Sequence, residues 1–168
     1  MVRTRTSPVN PLSSDDLRHE EVDITFLIWA VSRSTADLVD AALRPTGLSG
    51  DEFAIYSMLA SSTAITPSEL ARWMAAAPTT VSSYVKRLEA RGHIERIPNP
   101  EDKRSYRVQL TAEGRHAHAR AAALFRSVRD RVHTALGPQE RAVRDALLAL
   151  RPVLDEIRST SISTVSEA

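Results

Sequence analysis

Cysteine is absent from the 168 residues of this chain, which excludes disulfides, thiolate metal sites and thiol redox switches. Glycine (five residues) and aromatic residues (5%) are also scarce, and a core poor in aromatics is typical of a helical protein. No run approaches the roughly 18 apolar residues of a membrane span, and Met1 to Pro11 lacks the apolar stretch of a signal peptide. We therefore expect a cytoplasmic protein that does not associate with membranes.

The sequence motifs of the common enzyme classes are missing as well. The chain has no glycine-rich phosphate loop, no His-Glu-x-x-His and no Gly-x-Ser-x-Gly. His116 and His118 are two positions apart, so they face away from each other on a helix, and His93 falls in a predicted glycine turn. We expect neither an enzyme nor a protein that holds a metal or another cofactor.

Charge is segregated along the chain, although the net charge is only +1. Residues 13–61 hold three basic and nine acidic side chains, whereas residues 78–110 hold seven basic and four acidic ones. Basic residues that cluster in one segment are typical of a nucleic-acid surface, while an evenly mixed surface indicates only solubility. The second segment is therefore the candidate for binding nucleic acid.

The first periodic segment predicts a helix that needs a partner. From Ser14 to Arg44 apolar residues recur every three or four positions, and a proline and a glycine then end the pattern. The apolar residues lie on more than one side of this helix. Because one small domain cannot easily bury two helix faces, we expect a second subunit to cover one of them.

Capping motifs predict the helices that follow. Ser49 with Glu52, and Thr66 with Glu69, each place a hydroxyl three residues before a glutamate and just ahead of an apolar run. Pro78 opens a further helix at the position where its missing N–H costs nothing. Two short helices joined by a tight turn form a helix-turn-helix.

After this motif the chain changes from a helical to an alternating pattern. Residues 94–98 and 106–110 read as two strands joined by a long charged turn. Thr111 then caps a helix, and a last helix follows a Gly-Pro pair. Pro152 is expected to kink or split this last helix because it lacks a backbone N–H.

The order of elements predicts a mainly α fold with a small β wing. We expect a single domain over residues 13–158, in which a winged helix-turn-helix lobe is joined to a helical dimerisation region. The predicted segments are a disordered N-terminal arm (1–12), dimerisation helices (13–47 and 111–158), the DNA-binding lobe (48–110) and a disordered tail (159–168).

The helix that begins at Pro78 carries polar side chains on one face. Val81, Val85 and Leu88 are spaced to pack inward, and small side chains in the first turn let the backbone approach a DNA groove closely. Hydroxyls bond base edges or phosphates, and cations are attracted to the phosphate backbone. The predicted DNA-binding side chains of this helix are Thr79, Thr80, Ser82, Ser83, Lys86 and Arg87. An ordinary surface helix with its polar residues outside is the alternative.

A winged helix that contacts another protein is a second alternative, because fold does not fix function. Arg87, Lys103 and Arg104 all fall on the expected DNA face, which favours DNA. Retention on heparin or duplex DNA that weakens steeply with salt separates the two functions.

Six short segments occur in a characteristic order. They are Glu69-Leu70-Ala71, Thr80-Val81-Ser82, Arg87-Leu88-Glu89, Arg91-Gly92-His93-Ile94-Glu95-Arg96, Asp102-Lys103-Arg104-Ser105 and Leu110-Thr111-Ala112-Glu113-Gly114. Over about residues 15–158, this series resembles the MarR family of bacterial regulators.

The resemblance implies a homodimer that is held by the first and the two last helices and that binds a pseudo-palindromic operator in double-stranded DNA. In that family a wing arginine enters the minor groove and an aspartate two residues earlier steadies it; the matching residues here are Arg104 and Asp102. A solvated turn with a surface ion pair is the alternative. Many relatives carry an arginine where Ser83 stands, so base readout here should depend more on Arg87, on hydroxyls and on DNA shape.

The resemblance also implies an effector. Family members are commonly released from DNA by small aromatic or phenolic molecules, which predicts a repressor that such a ligand releases from its operator. The candidate ligand-binding residues are Phe26, Trp29, Arg33, Phe53 and Tyr56. Core packing explains these aromatics at least as well.

Overall fold

The structure, a computed structural model, describes residues 22–62 and 64–165, with side chains as far as residue 160. It falls into two compact units that divide between Leu38 and Val39, within the first helix. The elements are α1 (Ile24–Leu43), a 3₁₀ turn (Arg44–Thr46), α2 (Gly50–Ser61), α3 (Pro67–Met74), α4 (Pro78–Ala90), β1 (Ile94–Pro98), β2 (Tyr106–Leu110), α5 (Ala112–Leu136), a 3₁₀ turn (Gly137–Gln139) and α6 (Glu140–Val165). The predicted fold class, mainly α with a small β wing, is confirmed.

Helix α1 begins at Ile24, after the non-helical residues 22 and 23; Ser14, where the apolar pattern starts, lies outside the described residues. Asp23 lies outside the helix, and its carboxylate caps the first turn by accepting the backbone N–H of Thr25 at 2.8 Å together with the Thr25 hydroxyl. These hydrogen bonds, that of the hydroxyl foremost, lower the pKa of Asp23. A capping aspartate marks a helix start that apolar periodicity alone does not register. Residues 1–21, with the predicted arm, lie outside the described part of the chain.

Both predicted capping boxes are confirmed. The Ser49 hydroxyl accepts the Glu52 N–H at 3.2 Å, and Glu52 Oε2 accepts the Ser49 N–H at 3.1 Å. Thr66 and Glu69 repeat the arrangement at 3.2 and 2.7 Å. At α4 the capping position is Ala77, which offers no side-chain acceptor. Two of the three helices of the lobe therefore have fixed N-termini, and the third begins with uncapped N–H groups.

The wing is an antiparallel pair in which Ile94 lies opposite Leu110 and Pro98 opposite Tyr106. Its strands occupy the residues that alternation predicts. Ile65 forms a further bridge to β2, since its N–H and carbonyl both bond to Val108, at 3.1 and 2.8 Å. This bridge ties the segment before α3 to the wing sheet.

One apolar core joins α2, α3, α4 and the wing. Its largest fully buried side chains are Tyr56, Leu43, Ile55, Leu70, Leu88, Val81, Val85 and Val108. Phe53 extends the core to α5, where its ring lies 5.1 Å from that of Phe125 and 5.6 Å from that of His118. Burial among these groups lowers the pKa of His118. The core thus fixes the positions of α4 and of the wing relative to each other.

The N-terminus of α5 is hydrogen-bonded to the turn between α4 and β1. The Thr111 N–H donates to the His93 carbonyl at 3.0 Å, and its hydroxyl donates to the Gly92 carbonyl at 2.7 Å. The same hydroxyl accepts the Gly114 N–H at 3.0 Å, which caps α5 as predicted. The Leu-Thr-x-x-Gly motif therefore forms a packed junction between the wing and the following helix.

Helix α6 runs unbroken from Glu140 to Val165 with Pro152 inside it, so of the predicted kink or split at this proline the split is wrong. Residues 159–165, which belong to the segment predicted as a disordered tail, are part of this helix; residues 166–168 lie outside the described part. One contact fixes the helix to the lobe, since Arg151 donates to the Trp73 carbonyl at 2.6 Å. No helix among the described residues combines the length and apolar character needed to cross a membrane.

Candidate nucleic-acid interface

Helix α4 has one buried and one exposed face. Val81, Val85 and Leu88 are buried in the core, as their spacing predicts. Every predicted DNA-binding side chain of this helix is exposed: Thr79, Thr80, Ser82, Ser83, Lys86 and Arg87. Residue spacing therefore assigned the two faces correctly, and the exposed face consists of hydroxyls followed by cations one to two turns later.

The hydroxyls of this face differ in what they still offer to a ligand. Ser83 donates its hydroxyl proton to the Thr79 carbonyl at 3.0 Å, four residues earlier, so its oxygen is left as an acceptor. Within the described residues, the hydroxyls of Thr79, Thr80 and Ser82 make no such bond. These three side chains retain both donor and acceptor capacity at the start of the helix.

Arg87 is held by a buried acid. Its Nε donates to Glu52 Oε1 at 2.8 Å, and Arg91 Nη1 donates to the same oxygen at 3.1 Å. Glu52 is only 3% exposed, whereas both arginines are partly in solvent. The Arg87 guanidinium also lies 4.8 Å from the centre of the Tyr84 ring. A side chain predicted to reach freely into a groove is therefore bound on its inner side to α2.

A second contact joins α2 and α4 beside this ion pair. The Tyr84 hydroxyl donates to Asp51 Oδ2 at 2.6 Å. Partial burial, with this hydrogen bond adding to it, raises the pKa of Tyr84 to about 12. The residues that link the two helices were not found from the sequence, because their partners are more than 30 positions apart and no local pattern pairs them.

The tip of the wing is a tight turn from Asp102 to Ser105. Ser105 N–H donates to the Asp102 carbonyl at 3.0 Å, and Asp102 Oδ1 accepts the backbone N–H of Arg104 at 2.9 Å. Asp102 thus bonds the backbone of Arg104 and, within the described residues, forms no ion pair with its guanidinium. Lys103 and Arg104 both project into solvent from this turn.

Asn99 is a buried polar residue that shapes the wing and that sequence reasoning missed. Its Oδ1 accepts the Glu101 N–H at 3.2 Å and Arg107 Nε at 3.1 Å, while its Nδ2 donates to the Ser105 hydroxyl at 2.7 Å. Arg107 also pairs with Glu101 at 2.9 Å. Asparagine followed by proline signals a turn, but not that its side chain connects both strands.

Arg96 joins the wing to the end of α4. Its Nη2 lies 2.7 Å from Glu89 Oε2, and its guanidinium is 4.5 Å from the centre of the Tyr106 ring. The cations from α4 to the end of the wing therefore form two groups. Arg87, Arg91, Arg96 and Arg107 are paired with acids, whereas no ion pair within the described residues occupies Lys86, Lys103 or Arg104.

The five predicted ligand-binding residues fall into different surroundings. Phe26 and Trp29 are exposed, at 45% and 57%, and their rings lie 5.5 Å apart. Arg33 is exposed next to Asp37, with 3.9 Å between the charged groups. Phe53 and Tyr56 are buried core residues, and the Tyr56 hydroxyl is 2.6 Å from His93 Nδ1. For these last two, core packing accounts for the side chain.

Comparison with known proteins agrees with this arrangement. A sequence model described as the MarR family matches residues 48–106, which span α2, α3, α4 and most of the wing. An HTH-type transcriptional repressor of Mycobacterium tuberculosis is 32% identical over 129 residues, covering 76% of this chain and 93% of that protein. The multiple antibiotic resistance protein MarR of Escherichia coli is 30% identical over 102 residues, covering 61% and 71%.

Two solved structures with DNA are similar in fold. A mutant MarR from Escherichia coli complexed with operator DNA has a TM-score of 0.69 and 27% identity, covering 80% of this chain and 96% of that one. The M. tuberculosis transcriptional regulator MOSR in complex with DNA has a TM-score of 0.71 and 27% identity, covering 82% and 99%. Because the fold, the order of motifs and the identity over nearly the whole of a curated relative agree, the chain belongs to the MarR family of DNA-binding transcriptional regulators.

Proposed function

We propose that this chain is a repressor that binds a pseudo-palindromic operator as a homodimer, with α4 in the major groove and the wing tip in the flanking minor groove. The observation that supports this most is that hydroxyls and a lysine line the exposed face of α4 and two cations occupy the wing tip, none of these cations having an ion pair within the described residues. Cations without an internal ion pair bind phosphate groups at a lower cost in free energy, because no ion pair within the protein has to break first.

The two parts of this surface have different tasks. In this arrangement Thr80, Ser82 and Lys86 face the major groove, where hydroxyls and ammonium groups bond to base edges. Arg104 and Lys103 lie on a turn narrow enough for the minor groove, where negative potential is concentrated and a guanidinium gains without reading a base. We therefore assign sequence discrimination to α4, and to the wing a contribution that is shared by many sequences.

Exposed apolar residues support the proposed dimer. On α6, Val143, Leu147 and Leu154 follow one face at spacings of four and seven and are 38%, 58% and 42% exposed. Leu148 and Val153 add further exposed apolar area next to this face. Soluble monomers rarely leave such contiguous surfaces uncovered, and a second copy of the chain offers the same surface in return.

We expect Arg104→Ala to weaken binding to an operator and to a scrambled duplex alike, by about tenfold, the factor that corresponds to roughly 1.4 kcal/mol. The cause is the loss of a charged contact to the DNA that is independent of sequence. The salt dependence of binding should fall by about one charge for each wing. Competition titrations at several salt concentrations measure both effects.

The matched control is Arg141→Ala, which removes the same charge from a side chain that is 92% exposed on α6. It should leave affinity and salt dependence nearly unchanged. If Arg104→Ala affects only the operator, or if both variants lose affinity equally, the wing is not the sequence-independent contact proposed here.

We also propose that a small aromatic or phenolic ligand releases the repressor from its operator. The exposed pair of Phe26 and Trp29 supports this, since neighbouring aromatic rings in solvent offer a stacking surface. A chain without cysteine has no thiol for a redox signal to act on. To act, the ligand must have a higher affinity for the conformation that does not bind DNA than for the one that does. The coupling free energy needed is on the order of 1 to 3 kcal/mol.

Addition of phenols and aromatic acids to a preformed complex should therefore dissociate it, whereas peroxide and divalent metals should not. Fluorescence anisotropy of labelled duplex DNA measures release, and Trp29→Ala should shift the ligand response without changing DNA affinity in its absence. The control is Trp73→Phe, which replaces the other tryptophan of the chain and should leave the ligand response unchanged. Release by peroxide or metal in folded protein, with no response to organic compounds, would contradict an organic effector.

A further inference from the structure

Glu52 has two separate functions in this structure. Oxygen Oε2 accepts the Ser49 N–H at 3.1 Å and completes the capping box of α2. Oxygen Oε1 accepts from Arg87 Nε at 2.8 Å and from Arg91 Nη1 at 3.1 Å, at the last turn and the end of α4. One buried carboxylate therefore joins the N-terminus of α2 to the C-terminal end of the candidate recognition helix.

The capping box needs only one of these oxygens, and glutamine serves equally well at its glutamate position. A buried carboxylate is costly to desolvate and gives little net stability even when it is paired. Capping therefore does not account for the two guanidinium groups that bind the other oxygen. These contacts fix the angle between α2 and α4, because Glu52 joins the two helices at one point and the hydrogen bond from Tyr84 to Asp51 joins them at a second.

We propose that Glu52 is a positioning residue for operator recognition, which holds α4 at the orientation that suits the major groove through Arg87 and Arg91. This inference rests on the proposed function, since it assigns the groove contact to α4. It also assigns Arg87 a different task from the direct base readout that the sequence predicts, because its Nε is turned toward α2.

The test is Glu52→Gln, which keeps the side-chain volume and a capping acceptor but removes the charge that holds the two arginines. The probes are a duplex that the wild-type protein selects from genomic fragments and a scrambled duplex of the same composition. We expect operator affinity to fall by about tenfold, within the range by which residues that couple two elements act. Affinity for the scrambled duplex should stay level or rise, because one negative charge has left the DNA-binding lobe.

Opposite changes on the two duplexes distinguish positioning from folding. A purely structural role would lower both affinities in proportion to the folded fraction, which denaturation under the same conditions measures, and this result would overturn the proposal. Operator affinity that is unchanged or higher would overturn it too, since release of an arginine that reads bases directly should strengthen binding.

Arg87→Met and Arg91→Met remove the partners of Glu52 and so test the same ion pairs. They remain informative if Glu52→Gln does not fold. If Arg87 acts through Glu52, the double variant Glu52→Gln/Arg87→Met loses no more operator affinity than the larger of the two single changes. Additive losses would overturn the proposal. If the wild-type protein itself binds selected and scrambled duplexes equally, the proposed function fails, which is a different result from a failure of Glu52 alone.

Discussion

Gly114→Ala should cost on the order of 3 kcal/mol or more of the free energy of unfolding, which is the upper range for overpacking a site that cannot relax. A Cβ at this position would lie 1.9 Å from the His93 carbonyl oxygen and 2.8 Å from the carbonyl carbon. Both atoms belong to the backbone, and the same carbonyl accepts the Thr111 N–H. The chain must therefore separate the start of α5 from the turn between α4 and β1 in order to admit one methyl group.

A matched glycine separates this steric effect from the ordinary cost of removing a glycine. Gly47 has a φ of +70°, and a Cβ added there would meet no atom within 4 Å beyond its chain neighbours. Gly47→Ala should therefore cost only about 1 kcal/mol of conformational strain. Urea denaturation of both variants provides the comparison. Equal losses would mean that the junction yields more easily than its backbone contacts indicate.

The combined change Leu147→Glu and Leu154→Glu should convert the protein to a monomer at micromolar concentration. Each buried leucine contributes about 1.5 to 3 kcal/mol, and a two-fold interface contains every position twice. Operator affinity should then fall by about 100-fold or more, because the two recognition helices no longer bind as one linked unit. Sedimentation measures the mass, and titration against operator DNA measures the affinity.

Ala149→Glu provides the control, because Ala149 is exposed on α6 roughly opposite Leu147. It adds one negative charge, of the two that the double variant adds, to the same helix on the side away from Leu147 and Leu154. A stable monomer of the wild-type protein, or a double variant that remains dimeric, would show that this face of α6 has another purpose.

Local signals in the sequence were sufficient to predict the helices and strands of the lobe. Each capping box lies within four residues, and the inward spacing of Val81, Val85 and Leu88 follows from helix geometry alone. The two strands of the wing were predicted to the residue, since alternation and turn chemistry are also local. The exposed face of α4 followed from the same periodicity.

The features that the sequence did not predict occur where two local patterns compete or where the interacting residues are distant in sequence. Asp23 interrupts an apolar pattern and caps α1, so the helix starts later than periodicity predicts. Pro152 removes one N–H from α6, but α6 continues through it as an unbroken helix, so the loss of one helical hydrogen bond does not end the helix. The Arg87 contact with Glu52 spans 35 positions, so no window of sequence reveals it.

The buried Asn99 separates the shape of the wing turn from the side chains that the turn presents to solvent. It fixes the loop from within through Glu101, Ser105 and Arg107, whereas the side chains at positions 103 and 104 take no part in that fixation. The shape of the loop and its outward side chains are therefore determined by different residues. Substitutions at positions 103 and 104 should therefore change the charge that the wing tip presents to solvent at little cost in folding, while the shape of the turn is kept.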